Sequence, residues 1–322
     1  MKKFISMLMT LAILAACLFT PALAEKKISI VAATFPLYDW TRQVLGEDGD
    51  AELTLLMDSG VDLHSFNPNA TDILRVATCD LFIYVGGESD GWVEDAQKQL
   101  INQNQISICL MDVLGEAAKE EELAEGMEEA HEHEHEEEEE GPEYDEHVWL
   151  SLRNAQRFTQ AIADAMAQLD ADRAEYYQAN AAAYIAQLAD LDARYADAVA
   201  SAPCHTVLFG DRFPFRYLTD DYDLNYYGAF SGCSAESEAS FQTIVFLAGK
   251  VDELGLPAVL TIEGTNHRIA ETIVQSTKSK DQKILSVDSM QGTTAKAIAD
   301  GVTYLGVMEN NLTVFEQALG LQ

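Results

Sequence analysis

Apolar and polar residues alternate in short blocks along most of this chain. "KKISIVAAT" is an Ile- and Val-rich run ending at Thr34, which predicts a buried strand. "FPLYDWTRQVLG" follows, with apolar positions at helical spacing up to Gly46. The alternation then repeats as strand "AELTLLM", helix "NATDILRVATC" with Asn69 or Thr71 near its cap, strand "DLFIYVGG", helix "WVEDAQKQLINQN" and strand "QISICLM". Strands separated by helices predict a parallel sheet covered on both faces.

From Asn154 to Ala200 the pattern is helical. In "DRAEYYQANAAAYIAQLADLDARYADAVA" the large residues Tyr177, Tyr184, Leu188, Leu191 and Tyr195 fall on one helical face, with alanine filling much of the rest. Near thirty residues make a helix of ~45 Å, long enough to back a two-lobed molecule. Pro203 stops it. Alternation resumes with strand "HTVLFG", helix "FPFRYLTDDY", strand "LNYYGAF", helix "ASFQTIVFLAGKVDELG", strand "AVLTIEG", helix "RIAETIVQSTKS", strand "KILSVDS" and the closing helix "TYLGVMENNLTVFEQALG". The expected fold is α/β: two αβ lobes with parallel sheets, residues 25–168 and 203–322, joined by one long rigid helix within 169–202.

Of the 322 residues, 48% are apolar, enough for a core in each lobe, and the formal charge is −34. That charge argues against a nucleic-acid partner, which requires clustered Lys and Arg, and fits a cationic ligand. Much of the excess lies between Glu116 and Glu146, a like-charge run that predicts a disordered loop. The first residues read as an export signal: Lys2 and Lys3, an apolar stretch over residues 4–19, and "ALA" at 22–24 as the cleavage site. "LAAC" at 14–17 competes as a lipobox with Cys17 as the lipidated residue; the apolar "LFTPALA" after it favours simple cleavage. Both readings place the protein outside the cytoplasm, in the periplasm or, if lipidated, at the outer face of the membrane. No later run has the roughly 18 apolar residues of a transmembrane helix. Export permits disulfides among Cys79, Cys109, Cys204 and Cys233, with free thiols equally allowed.

Four of the seven histidines fall in "EEAHEHEHEEEEEGPEYDEHVWLSL". His131, His133 and His135 alternate with glutamates, a composition suited to weak cation capture. Ligand sites of open α/β sheets lie beyond the carboxyl ends of the strands. His64 lies in the loop after "AELTLLM", His147 at the end of the charged tract, Asp211 after "HTVLFG", Glu263 at the end of "AVLTIEG" and Asp288 at the end of "KILSVDS". These side chains, drawn from both lobes, are placed to meet in one cleft.

Two segments carry a resemblance. "DLHSFNPNATD", from Asp62 to Asp72, and "DEHVWLSLRNA", around His147, are similar to the paired Asp-Pro-His motifs of the zinc- and manganese-specific solute-binding proteins of bacterial ABC importers. Leu63 and Glu146 replace the prolines, and Ser151-Leu152 replaces an Asp-Pro pair. The acidic, histidine-bearing loop between the motifs is typical of the zinc-type members. The resemblance spans essentially the whole mature chain. It implies one divalent ion in an interlobe cleft, with His64, His147 and Asp288 as ligands. The family's third ligand, a His or Glu, maps to Gly210, a departure. Asp211 is the first choice to replace it, with His205, Glu263, His267 and Cys233 in reserve. His205 precedes its strand, at the far end of the sheet, and His267 sits at a helix start.

Two imidazoles with two carboxylates suit zinc, and manganese as the alternative; the histidine tract favours zinc. The expected role is an extracytoplasmic zinc receptor that hands its ion to an ABC permease and its ATPase. It is expected to act as a monomer, touching the membrane surface only if Cys17 is lipidated. The rivals are a surface adhesin or passive metal buffer and, further off, a zinc hydrolase with Glu263 as base, for which no HExxH or GxSxG segment speaks.

Overall fold

In a computed structural model, the structure describes residues 27–127, 143–234, 238–264 and 266–321. The export signal, Cys17 and the three tract histidines lie outside them.

The first lobe holds β1 (Ile28–Ala32), β2 (Ala51–Leu55), β3 (Leu81–Tyr84) and β4 (Ile106–Cys109) in the parallel order β2-β1-β3-β4. The second holds β5 (Thr206–Phe213), β6 (Asn225–Ser231), β7 (Ala258–Ile262) and β8 (Lys283–Val287) in the order β6-β5-β7-β8. The two lobes thus share one topology: β2 and β6 are equivalent edge strands. The strand order reverses beside β1 and β5, and an α/β sheet opens its ligand crevice at such a point.

Local chemistry sets the helix ends. In α1 (Phe35–Leu45), Pro36 occupies the first turn and Gly46 ends the helix at φ +63°. That φ is one an L side chain rarely adopts, and a Cβ there would also crowd the Tyr176 hydroxyl at 2.5 Å. α2 (Ala70–Thr78) opens with a capping box: Asn69 accepts from the Asp72 amide, and Asp72 accepts from the Asn69 amide at 3.0 Å. The remaining first-lobe helices are the short α3 (Trp92–Gln97) and α4 (Leu110–Leu114), then α5 (Leu152–Leu169), capped by the Ser151 hydroxyl.

The long helix is α6 (Ala174–Ser201), 28 residues and ~42 Å. It buries Tyr177, Tyr184, Leu188, Leu191 and Tyr195. Near its start Asn180 donates to the Val44 carbonyl in the first lobe; near its end the Tyr195 hydroxyl donates to the Met308 carbonyl in the second. The second lobe adds α7 (Arg216–Asp221), α8 (Phe241–Leu254), α9 (Arg268–Ser276), α10 (Ala295–Ala299) and α11 (Tyr304–Ala318). α11 returns to the first lobe, where the Tyr304 amide donates to Asp39 and its hydroxyl to the Trp149 carbonyl. One buried apolar cluster therefore runs through both lobes, from Ile30 and Trp40 to Phe209 and Phe315. A shared core of this kind opposes large lobe rotation.

Two segments differ from the sequence expectation. β5 does not end at Gly210; it continues to Phe213 through a register shift between Phe209 and Arg212. The described residues of the acidic segment, 116–127 and 143–146, are ordered. Residues 119–127 cross onto the second lobe, held by Lys119–Asp220, Arg216–Glu122 and Lys250–Glu125 ion pairs, and Glu120 bridges Tyr144. The four cysteines from Cys79 onward are free thiols.

Tyr195 and Tyr184 make a matched test. Both are buried in α6, but among the described residues the Tyr184 hydroxyl has no hydrogen-bond partner. Urea unfolding of the metal-free protein is expected to show Tyr195→Phe less stable by about 1 kcal/mol and Tyr184→Phe unchanged or slightly more stable.

Candidate metal centre

His64 sits on a one-turn 3₁₀ helix, Leu63–Ser65, whose first residue is buried in the core where the related motif has proline. Asp62 caps this turn by accepting from the His64 amide at 3.1 Å. The His64 Nδ1 lies 2.8 Å from the Ser89 hydroxyl and 3.8 Å from Glu146 Oε2. Glu146 Oε1 accepts from the Ser89 amide at 2.9 Å, so the residue replacing proline steadies the ring from behind. Gly87, at φ +88°, makes room: a Cβ there would stand 2.3 Å from that oxygen.

His147 is fully buried. Asp145 accepts from its backbone amide at 2.8 Å and stands 3.0 Å from its Nδ1. An ionised carboxylate only accepts, so Nδ1 carries the proton and Nε2 presents its lone pair forward. The ring lies beside Trp149, whose indole donates to the Ser289 carbonyl of the other lobe at 2.9 Å.

The two forward nitrogens meet: His64 Nε2 and His147 Nε2 are 3.3 Å apart. Cys233, in the turn after β6, completes the one group of metal-capable side chains among the described residues, with all three donor atoms within 4.8 Å of one another. Burial foremost, and the neighbouring His147 ring next, push His64 down to about 4, against the pull of Asp62. Burial also pushes the Cys233 thiol up, and the charges of Glu121, Asp145 and Glu146 add to this. A salt bridge closes the cleft beside the group, Arg212 of β5 to Asp62 at 2.9 Å. The Gln291 side-chain amide spans the same gap, one terminal atom 2.8 Å from an Asp62 oxygen and the other 2.7 Å from His147 Nε2.

The other expected ligands are placed as follows. Asp211 does not join the group: its two oxygens accept from the Arg212 amide at 2.9 Å and the Ile262 amide at 3.3 Å, which holds the irregular stretch of β5 against β7. Asp288 accepts from the Met290 amide at 2.8 Å; burial, then the charge of Glu263, push it up to about 6. Both Glu263 oxygens accept from Ser289, one from its amide and the other from its hydroxyl. His205 lies at the opposite end of the sheet, its carbonyl accepting from the Asn225 amide where β6 begins. His267 precedes α9 at φ +54° and stands outside the group. Sequence reasoning did not single out Asp145, Arg212 or Gln291. Asp145 had a signal, since it precedes His147 by two residues as Asp62 precedes His64.

Two covered parallel sheets, a long helix behind them and imidazoles converging in the cleft define a two-lobed metal-binding receptor fold. The chain belongs to the ZnuA family, zinc-uptake complex component A, periplasmic, which it matches over residues 30–318. It is 29% identical to the zinc-binding protein AdcA of Streptococcus pyogenes over 326 residues, covering 97% of this chain and 60% of that protein. The chain therefore spans about 60% of the length of these streptococcal relatives. It is 29% identical to the high-affinity zinc uptake system protein ZnuA of Bacillus subtilis over 294 residues, covering 91% of this chain and 88% of that one. The Zn(II)-bound ZnuA-like domain of Streptococcus pneumoniae AdcA superposes with a TM-score of 0.70 at 25% identity, covering 91% of this chain and 99% of that domain.

Asp145 orients His147 without reaching the other donors. Asp145→Ala is expected to weaken zinc binding about 10- to 100-fold with the fold intact, measured by competition with a chromogenic chelator. Gly232 presses on the same ring, where a Cβ would stand 2.8 Å from His147 Cε1. Gly232→Ala is expected to weaken zinc in the same assay, by displacing the imidazole.

Proposed function

We propose that the protein is an extracytoplasmic receptor that binds one zinc ion between its lobes and delivers it to the permease and ATPase of an ABC importer. The observation that carries this reading is the 3.3 Å separation of His64 Nε2 and His147 Nε2, with both outer nitrogens tied back. Two imidazoles, each about 2.0–2.1 Å from a tetrahedral zinc, stand about 3.3–3.4 Å apart. The donor pair is therefore already spaced for the ion, and binding requires little rearrangement. The names of the relatives, zinc-binding and zinc-uptake proteins, support the same cargo.

Asp288 is the proposed carboxylate from the second lobe. It lies three residues before Gln291, whose side chain already reaches His147, so its segment borders the cleft. Asp211 has no ligand role in this proposal, because both of its oxygens are committed to the backbone. The tract histidines His131, His133 and His135 serve as a weaker capture site that raises the local zinc concentration. The role is binding and release rather than turnover, which the commitment of Glu263 to Ser289 supports. The receptor works as a monomer, tethered to the membrane only if Cys17 carries lipid.

Zinc titration of the mature protein tests this against a passive buffer. One tight site is expected, lost in His64→Ala and in His147→Ala, and kept when His131, His133 and His135 are all changed to Ser. Loss of tight binding in that triple variant, with the cleft variants unaffected, would favour the buffer.

A further inference from the structure

Gly210, where the resemblance leads one to expect a third ligand, has no side chain and no room for one. Gly210 is buried in β5 against α9, and a Cβ there would stand 2.6 Å from the Ala270 Cα and 2.9 Å from its backbone nitrogen. Backbone atoms do not yield as a flexible side chain would, so no histidine or glutamate fits without moving α9.

We infer that Cys233 supplies the third donor, so that two imidazoles and a thiolate hold the ion beside the proposed Asp288 carboxylate, and that the thiolate makes the centre selective against manganese. This rests on the reading that His64 and His147 hold zinc. Four observations point to it. The Cys233 sulfur lies within 4.8 Å of a ring nitrogen of each histidine. Its turn is held from two sides: the Cys233 amide donates to Glu121 Oε1 at 3.4 Å, and the Ser234 carbonyl accepts from Arg212 at 3.5 Å. The same guanidinium grips Asp62, which caps the His64 turn, so one side chain positions two of the three donors. Gly232, lacking a side chain, lets the turn close onto the His147 ring. The ligand loops also correspond by topology, since His64 follows β2 and Cys233 follows β6, the equivalent edge strands.

Chemically, the ion takes the sulfur lone pair and the thiol proton leaves to solvent; nothing is oxidised or reduced. Thiolate is a soft donor that suits zinc, whereas manganese prefers carboxylate, carbonyl and water oxygens. A carboxylate at the same place would remove that discrimination.

Cobalt(II) is the probe. The mature protein loaded with one equivalent is expected to show a near-ultraviolet thiolate-to-cobalt charge-transfer band with the intense visible bands of tetrahedral cobalt. Cys233→Ser is expected to lose the charge-transfer band. Cys233→Asp is expected to shift the zinc-over-manganese preference toward manganese by roughly tenfold or more. Should Cys233→Ser fail to fold, alkylation of the wild-type protein decides: zinc is expected to protect Cys233 while leaving the reactivity of Cys79, Cys109 and Cys204 unchanged. Cobalt bound without a thiolate band, or zinc giving Cys233 no protection, overturns the cysteine assignment and leaves the receptor reading standing. Cobalt binding unaffected by His64→Ala and His147→Ala overturns the receptor reading itself.

Discussion

The grip of Asp145 on His147 is the constraint on which the centre depends. One carboxylate oxygen takes the backbone amide and the ring Nδ1 of a histidine that has no contact with solvent. Burial prevents water from substituting for the carboxylate, and the bond to Nδ1 selects the tautomer able to bind metal. Reversing that tautomer would direct an N–H at the ion. The ring also packs on Trp149, whose indole is anchored in the opposite lobe, so the orientation of one imidazole is referred to both halves of the molecule.

The fold supplies the stiffness behind this grip. α6 runs the length of the molecule and α11 returns across it, and the apolar cluster between them belongs to both lobes. A cleft built on a shared core leaves local movement at the rim as the way in and out for a ligand. The rim has suitable parts: the Arg212–Asp62 bridge, the Gln291 amide and the Cys233 turn. Each joins second-lobe residues to the His64 and His147 side or to the acidic segment 119–127.

Much of the architecture was legible because buried parallel strands read as apolar runs and helices carry their own punctuation, such as Gly46, Asn69 and Gly255. His64 stood out in the sequence as a loop imidazole just before a helix start and His147 as one just before a buried apolar run, and the fold brings the two rings together. The misreadings arose where a distant partner decides the outcome. Asp211 looked like the end of a strand, yet Ile262 of β7 supplies an amide that lets a charged residue sit inside β5. Residues 119–127 looked like part of a solvated acidic loop, yet Arg216 and Lys250 hold them to the second lobe. The five-residue α10 was too short for its periodicity to register. Cys233 stood in a Gly/Ser-rich stretch with no local pattern, and only the fold brings its sulfur to the two histidines, which lie far from it in the chain.

A crystal structure of the zinc-loaded protein, with the metal located by anomalous scattering at the zinc edge, tests the central claim most directly. The account predicts a single ion in the interlobe cleft bonded to the Nε2 atoms of both His64 and His147. An ion held elsewhere, with those two rings turned away from each other, would contradict it.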